Sequence, residues 1–265
     1  MIWLLFHFLA STPPGAGAPV VLGVQESHFR VDTARETFRF PEYRNNGYQQ
    51  KVVPSAAGHQ VIVRVKNTQL ASKMLGRKVS LPPHLASLEA RLNQEAGSRL
   101  ADQVSVLVAW LRQEIEEEDQ PLPDQSPLAV MTRKSANCVG LAELMRFVLG
   151  EMGVETRYVT GIAFKPGDRP NLHLEGDVLH RWIEIRYEDV GWVFCDPAGK
   201  VNFVASTYLV LGVQNLHPLA SLMEQAVDSQ IHWLRFSNGF RTVGKFSSLD
   251  HRIRIRPNRL VTTSY

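Results

Sequence analysis

The amino-acid sequence predicts an α+β protein, and three observations support that fold class. Between residues 20 and 80, several segments alternate apolar with polar side chains, as strands with one buried face do. Between residues 81 and 152, apolar side chains recur at helical spacing in three successive stretches. Alternation then returns from residue 156 to 195 around a hairpin turn, so that helices precede antiparallel strands instead of alternating with parallel ones.

The composition is that of a globular protein with a full hydrophobic core. Of the 265 residues, 44% are hydrophobic and 21% are charged, which excludes a disordered chain. The formal net charge of +3 is too small to indicate a nucleic-acid partner, and none is expected. The two cysteines, Cys138 and Cys195, exclude a disulfide-rich scaffold but allow a single bridge.

Residues 1–19 resemble a secretory signal segment. An apolar run covers residues 2–10, and a Pro-rich stretch follows it with Ala16-Gly17-Ala18 in the pattern of a cleavage site. No Lys or Arg precedes the run and His7 interrupts it, so a buried N-terminal strand or a misassigned start codon is the alternative, with the protein in the cytoplasm. We expect export to the periplasm or the extracellular space. The run is too short to span a membrane, no later stretch is long enough, and no integral membrane segment is expected.

Residues 20–80 are predicted to form a β-rich N-terminal arm. Strands are expected at residues 28–31, 37–40 and 60–66, which are separated by prolines and by an Asn-Asn-Gly turn signal. Nothing in the arm suggests chemistry. Such an arm could also cover a cleft as a propeptide does, and the sequence leaves this open.

Residues 81–205 are predicted to form the core. Its first helix begins at Pro82-Pro83, and its second carries a wide apolar stripe from Leu100 to Ile115. The acidic run at residues 116–119 could hold a metal ion, but a solvated helix end is the more ordinary interpretation.

Residues 206–265 are predicted to be a C-terminal extension packed on the core. A helix is expected within residues 216–236, and a strand with one basic face at residues 252–256. The basic face could meet an anionic surface, although an edge strand protected by charge is the more ordinary interpretation.

The third helix places a thiol where it can be reactive. Ser135 or Asn137 can cap this helix, Cys138 lies in its first turn, and Gly153 suits its C-terminal end. Its buried stripe is predicted to consist of Leu141, Met145, Val148 and Met152. The positive end of the helix dipole favours the thiolate, and the free backbone N–H groups there, that of Cys138 included, can stabilise an oxyanion.

Two strands after this helix supply the complementary groups. Residues 179–187 form a predicted strand with His180, Trp182 and Glu184 on one face. A turn then leads into a paired strand that ends at Asp196, so the hairpin can set Asp196 beside His180. A thiol, an imidazole and a carboxylate can act as nucleophile, general base and orienting acid. Each residue alone has an ordinary structural interpretation, but this combination is much rarer.

These segments resemble the transglutaminase-like superfamily, a branch of the papain-like Cys-His-Asp enzymes. The resemblance lies in three blocks. The first is Asn137-Cys138 with its helix, which continues to Gly153-Val154-Glu155-Thr156-Arg157 and Gly161. The second is His180-Arg181-Trp182-Ile183-Glu184, which fits H-x-W-x-E, and the third runs from Gly191-Trp192 to Asp196-Pro197. It implies a papain-like core in which the nucleophile, at a helix N-terminus, packs on an antiparallel sheet.

The resemblance also implies an activity. Cys138 would attack an amide carbonyl of a protein or peptide, His180 would be the base and later the acid, and Asp196 would orient the imidazole. The thioester would pass to an amine, or to water as in a cysteine protease or amidase, and no metal or cofactor would be needed. Trp182 would be a wall of the substrate site and would shield the Cys-His pair, with core packing as the alternative. Glu184 and Arg157 would be structural.

Several alternatives stay open. The second oxyanion donor is unknown, with Trp110 and Lys134 as candidates upstream of the nucleophile. A Cys138–Cys195 bridge would silence the enzyme, but strand alternation turns Cys195 away from the face that holds Asp196. Another class of function is a catalytically silent module that binds a protein or cell-wall partner. A structural subunit of a larger assembly is the weakest hypothesis.

Overall fold

A computed structural model describes residues 19–245, apart from residues 34, 36–37, 57, 69, 71, 95–98, 120–121, 165–170, 174–178 and 227. The signal segment predicted for residues 1–19 and the basic strand predicted for residues 252–256 therefore lie outside the described residues, except for Pro19.

The described chain forms helices and antiparallel strands in the mixed order predicted. The helices are α1 (Ala86–Gln94), α2 (Leu100–Glu114), α3 (Pro127–Arg133), α4 (Cys138–Glu151) and α5 (Leu219–Ala226). The strands are β1 (Pro19–Asp32), β2 (Tyr43–Asn45), β3 (Tyr48–Ser55), β4 (Gly58–Asn67), β5 (Glu116–Glu117), β6 (Ser135–Ala136), β7 (Thr156–Ala163), β8 (Asn171–His173), β9 (His180–Tyr187), β10 (Gly191–Cys195), β11 (Tyr208–Val213), β12 (Gln230–Asn238) and β13 (Arg241–Lys245). The α+β fold class is confirmed.

A four-stranded antiparallel sheet in the order β10-β9-β7-β11 forms the centre of the core. Helix α4 packs on β9 and β7, so the first turn of the helix lies over the beginning of β9. The helix-side core contains Leu85, Leu88 and Leu92, all fully buried. Together these elements form the core that the sequence predicts, with the cysteine at a helix N-terminus on an antiparallel sheet.

The N-terminal arm is a second antiparallel sheet rather than a loose appendage. Its strands run in the order β2-β3-β4-β1-β12-β8, and β13 also pairs with β1. The inner face of this sheet buries Phe29, Val61 and Val63 against Trp182 and Phe194 of the central sheet. The described chain is thus a sandwich of helices, central sheet and arm sheet. Most of the buried surface that stabilises it lies at the two interfaces of the central sheet.

One predicted strand of the arm is absent. Phe38 and Phe40 are both buried, as the alternation at residues 37–40 requires, but residues 38–40 are not in a strand. The Phe40 N–H donates to Nε2 of His59 at 3.2 Å instead of to a neighbouring strand. The alternating pattern reported burial correctly, but a side-chain acceptor replaced the backbone partner that a strand needs.

The chain departs from the predicted organisation at three other places. Strand β11, assigned from sequence to a C-terminal extension, is an edge strand of the central sheet and pairs with β7. Helix α3 was not predicted, because its seven residues are too few to show a periodic stripe. Within the acidic run, Glu116 and Glu117 form β5 beside β6. The helix predicted within residues 216–236 is α5.

Candidate active site

Cys138 is the first residue of α4, and the helix cap leaves its backbone N–H free for another acceptor. The Oδ1 atom of Asn137 accepts hydrogen bonds from the N–H groups of Val139 at 2.9 Å and Gly140 at 3.4 Å. Asn137 rather than Ser135 is therefore the cap. The Cys138 thiol is partly exposed and not in a disulfide. It is positioned at the positive end of the α4 dipole.

The β9–β10 hairpin brings His180 and Asp196 together. Cys195, the last residue of β10, pairs with Ile183, and the chain then turns so that Asp196 reaches back toward the start of β9. The Nε2 atom of His180 lies 2.9 Å from Oδ2 of Asp196, although the residues are 16 apart in sequence. The predicted juxtaposition of the two side chains is therefore present.

The imidazole connects the carboxylate to the thiol. Because Nε2 of His180 is bound to Asp196, Nδ1 is the nitrogen available to Cys138. Burial alone would raise the pKa of Cys138, but hydrogen bonding to His180 and the imidazolium charge outweigh it, and the backbone N–H of Arg181 adds a further donor. The pKa of the thiol is consequently below its ordinary value.

The pKa of His180 moves in the opposite direction. Burial would lower it, but the charge and hydrogen bond of Asp196, followed by those of Cys138, raise it to about 10. A lowered thiol pKa beside a raised imidazole pKa favours a thiolate–imidazolium pair near neutral pH. This is the activated form of a cysteine nucleophile.

Asp196 is buried, with its carboxylate bound on both oxygens. Burial would raise its pKa, but the His180 charge and hydrogen bonds from three donors keep it below the ordinary value. Besides His180, the donors are the Ala198 N–H to Oδ1 at 3.0 Å and the Tyr208 hydroxyl to Oδ2 at 2.6 Å. The carboxylate is therefore held ionised where it can balance an imidazolium.

Sequence reasoning missed Tyr208, which lies 12 residues after Asp196 on β11. Its ring also contacts His180, with ring centroids 5.8 Å apart, and Trp182 at 5.4 Å. The apolar run after Tyr208 is a strand signal that could have placed this segment in the sheet. Nothing in the sequence pairs Tyr208 with Asp196, because that contact depends on the register of β11 against β7.

A model of the transglutaminase-like superfamily matches residues 86–197 of the sequence. That segment contains α1 through β10 and all three residues of the cluster. Residues 86–197 belong to the transglutaminase-like superfamily. The arm sheet and β11, with Tyr208, lie outside the matched segment.

Solved structures similar to the chain are distant in sequence. A candidate cysteine protease from Cytophaga hutchinsonii is 13% identical, covering 85% of this chain and 92% of its own, with a TM-score of 0.40. The ethylmercury-bound periplasmic domain of TgpA from Pseudomonas aeruginosa is 15% identical, covering 70% and 91%, with a TM-score of 0.37. A structure described as a TGase is 14% identical, covering 61% and 50%, with a TM-score of 0.34. No curated protein matches the sequence.

In this transglutaminase-like core Trp182 shields the imidazole but lines no open cleft. Its side chain is fully buried, and its ring stacks on His180 with centroids 5.9 Å apart and planes at 22°. Of the roles expected for Trp182, the described residues show shielding of the imidazole together with core packing, because Phe194 and Tyr208 of the sandwich core cover its outer face.

Glu184, the last residue of the H-x-W-x-E pattern, is fully buried and structural. It accepts hydrogen bonds from Nε of Arg157 at 2.6 Å, from the Tyr43 hydroxyl at 2.7 and 2.8 Å, and from Nδ2 of Asn45 at 2.6 Å. The Arg157 guanidinium also lies 4.0 Å from the centre of the Trp192 ring. These contacts join the arm to the core, which the sequence could not indicate.

The two candidates for the second oxyanion donor differ in their surroundings. Lys134 is exposed, with Nζ 3.7 Å from Oε2 of Glu114. Trp110 is almost fully buried, and its indole Nε1 has no hydrogen-bond partner among the described residues. The indole N–H of Trp182, beside His180, is unpaired in the same way, so this observation does not select Trp110, and both candidates stay open.

Cys195 lies on the helix side of the sheet and is not bridged to Cys138. Burial raises the pKa of its thiol to about 12, so it stays neutral. Among the described residues, no group of three or more histidine, cysteine or acidic side chains could hold a metal ion. None of the described helices has the length and hydrophobicity needed to span a lipid bilayer.

Proposed function

We propose that this protein transfers acyl groups from amides through a thioester on Cys138, with an amine as acceptor and water as the competing acceptor. The observation that supports this most directly is the continuous line of contacts from Cys138 through His180 to Asp196. The transglutaminase-like match agrees with cysteine-dependent acyl transfer or hydrolysis as the coarse reaction class. The donor is a glutamine side chain or a peptide amide of a protein or peptide.

The first half of the reaction forms the thioester. The Cys138 thiolate attacks the amide carbonyl carbon, and the carbonyl oxygen becomes an oxyanion that the Cys138 N–H can bind. The His180 imidazolium gives its Nδ1 proton to the amide nitrogen, and the C–N bond breaks to release an amine or ammonia. His180 is left neutral, bound through its Nε2–H to Asp196. Trp110 and Lys134 are the candidates for the second oxyanion donor.

The second half regenerates the thiolate. An acceptor amine attacks the thioester carbonyl while Nδ1 of His180 takes its proton. The C–S bond then breaks, leaving a new amide and the original thiolate–imidazolium pair. Water in place of the amine gives a carboxylic acid, so the accessibility of the thioester to water decides the outcome.

The lowered pKa of Cys138 favours this enzyme over a catalytically silent binding module. A catalytically silent module does not require a thiolate–imidazolium pair, and its Cys138 thiol would have an ordinary pKa. Here the ionised carboxylate, the raised imidazole pKa and the lowered thiol pKa are mutually consistent.

The test is to incubate the full chain with a pool of glutamine-containing peptides and a fluorescent primary amine. We expect ammonia release, incorporation of the amine into peptide, and an acyl adduct on Cys138 by mass spectrometry. Cys138→Ala should lose all three, whereas Cys195→Ala should keep them because Cys195 faces the helix-side core. Turnover by Cys138→Ala would refute the assignment of the nucleophile. Ammonia release without amine incorporation would identify a hydrolase.

The proposal includes export from the cytoplasm to the periplasm or the extracellular space. The apolar run at residues 2–10 and the small residues that follow support it. N-terminal sequencing of protein recovered from the producing cells should find a start after Ala18. An uncleaved cytoplasmic chain would contradict this part of the proposal.

A further inference from the structure

We infer that Tyr208 is a positioning residue of this active site, whose hydroxyl fixes the Asp196 carboxylate in the orientation that the His180 imidazole requires. The inference rests on the proposed triad and adds a fourth member to it. The superfamily match ends at residue 197, so Tyr208 lies beyond the segment that the match identifies.

The hydroxyl and the imidazole share one carboxylate oxygen. Oδ2 of Asp196 accepts from Tyr208 at 2.6 Å and faces Nε2 of His180 at 2.9 Å, while Oδ1 accepts from the Ala198 N–H. Donors on both oxygens prevent the carboxylate from rotating about its Cβ–Cγ bond. Hydrogen bonds to a charged acceptor are roughly twice as strong as neutral ones, so the 2.6 Å bond is a substantial restraint.

The phenol can act only as a donor in this position. Tyr208 is buried, and burial together with the Asp196 charge raises the pKa of its hydroxyl well above the ordinary range. It therefore keeps its proton over the pH range of any enzyme assay. Its hydrogen bond consequently favours the ionised form of Asp196 at all of these pH values.

Hydrogen bonds from the arm sheet hold the backbone at Tyr208 in place. The Tyr48 hydroxyl donates to the Tyr208 carbonyl at 2.8 Å. Two residues further on, the Gln50 side chain bonds both the N–H and the C=O of Val210 at 2.8 Å, as a neighbouring strand would. These bonds fix β11 at the edge where no further strand of the central sheet covers it. The arm therefore supports the position of the Tyr208 hydroxyl.

Other ionisable groups near Asp196 do not replace this contact. The groups that face it are His180 on β9, Cys138 on α4, Tyr208 on β11 and the adjacent Cys195. Cys195 is neutral, and Cys138 becomes negative in the active pair, which opposes ionisation of Asp196. Glu117 on β5 faces Tyr208 and adds further negative charge. The hydrogen bond from the uncharged Tyr208 hydroxyl thus offsets the effect of these negative charges on the ionisation of Asp196.

The experiment compares Tyr208→Phe with the full wild-type chain and with Tyr187→Phe. The phenylalanine keeps the ring contacts with His180 and Trp182, so thermal melting should show a folded protein. Tyr187 is a matched control because it is fully buried and donates to Oδ1 of Asn202 at 2.6 Å, yet lies in the helix-side core. The rate of Cys138 alkylation by iodoacetamide is measured against pH for all three proteins.

In Tyr208→Phe we expect the acid limb of the alkylation profile, which reports protonation of the Cys138 thiolate, to move up by about one pH unit. A carboxylate that is no longer held toward His180 supports the imidazolium less well, and the imidazolium in turn stabilises the thiolate less. Tyr187→Phe should superimpose on the wild type. A lower plateau with an unmoved acid limb, or an equal shift in the control, would assign Tyr208 to packing alone and overturn the inference.

A second measurement separates this inference from the proposed function. The imidazole resonances of His180 are followed by NMR against pH in the Cys138→Ala background, where no thiol chemistry contributes. The acid-side midpoint, at which Asp196 takes up a proton, should again be about one unit higher in Tyr208→Phe. A shifted midpoint together with no acyl transfer by the wild type would refute the proposed activity and support the positioning role. An unchanged midpoint would sink the positioning role whatever the activity.

Discussion

At the residue scale, Cys138 and His180 determine how the reaction depends on pH. Because the pKa of the Cys138 thiol is lowered, the thiolate is present at pH values where a free cysteine, with a pKa of about 8.5, is protonated. The raised pKa of His180, about 10, keeps the imidazolium available to protonate a leaving amine. Both groups are in their active form only between these two values, which belong to the coupled pair.

We therefore predict a bell-shaped profile of kcat/KM for amide turnover. Activity should fall at low pH as the Cys138 thiolate takes up a proton, and fall again above about pH 10 as His180 loses the proton that the leaving group needs. Stopped assays across the range measure it. His180→Ala should lose turnover and return Cys138 alkylation to the pH dependence of a free thiol. Fast alkylation at low pH in His180→Ala would contradict the pairing.

The residues of the proposed triad could be predicted from sequence because each lies where local structure places it. Asn137 and the stripe that follows it mark a helix N-terminus at Cys138, and the hairpin fixes the spacing of His180 and Asp196. Tyr208 could not be predicted, since its contact with Asp196 depends on long-range strand register. The burial of Trp182 depends on Tyr208 and on arm residues of the same core cluster, which are distant from it in sequence.

At the scale of elements, Gly161 lets three strands meet beside the active site. It pairs with His180 on one side and with Val210 on the other. A Cβ at this position would collide with the Leu209 carbonyl and lie 2.7 Å from the Trp182 ring. Backbone and buried aromatic atoms cannot move aside cheaply, so a side chain here must push β7 away from β11.

We predict that Gly161→Ala lowers the free energy of unfolding by about 2 kcal/mol or more and slows Cys138 alkylation, because it displaces the strand beside His180. Gly150→Ala is the matched control. Gly150 is exposed on α4, and a Cβ there meets nothing within 4 Å, so alanine should stabilise the helix by about 0.5–1 kcal/mol. Urea unfolding of both variants measures the difference. Equal effects would show that close strand approach at Gly161 is unimportant.

The elements themselves were predictable where the pattern was long. Helix α4 and strands β7, β9 and β10 were confirmed because stripe, cap and turn signals agree there. The strand predicted at residues 37–40 is absent, because alternation indicates which side chains are buried and not whether the backbone has a hydrogen-bonding partner. Strand β11 was assigned to an extension because its fully buried sequence carries no alternation.

At the scale of the whole molecule, the arm sheet completes the core instead of covering the cleft as a propeptide would. Trp182 and Phe194 form a common core with the arm, and Tyr48 and Gln50 of the arm fix β11. A chain that begins near residue 80 would expose this apolar face and leave Glu184 without Tyr43 and Asn45. The sequence left the propeptide hypothesis open because no local signal records which sheet the arm packs on.

The buried pair of Glu184 and Arg157 offers the sharpest test of the contact between the arm sheet and the central sheet. The Glu184 side chain is 0% exposed and that of Arg157 16%, so both charges are largely withdrawn from bulk water. Glu184→Gln keeps the size of the side chain but leaves the guanidinium without a buried counter-charge. We predict a loss of about 3 kcal/mol in the free energy of unfolding, together with faster hydrogen exchange in β2 and β3.

Glu188→Gln is the control for that loss. Glu188 pairs with Arg77 at 3.6 Å but is 77% exposed, so its replacement should change the free energy of unfolding by less than about 0.5 kcal/mol. Urea unfolding compares the two variants, and hydrogen exchange shows where the structure loosens. If Glu184→Gln were as stable as Glu188→Gln, or loosened only the helix side of the central sheet, the buried pair would not be what joins the arm to the core. A large loss with exchange rising first in β2 and β3 means that the buried pair holds the arm sheet on the central sheet. The orientation of Tyr208 then depends on contacts far from the thiol.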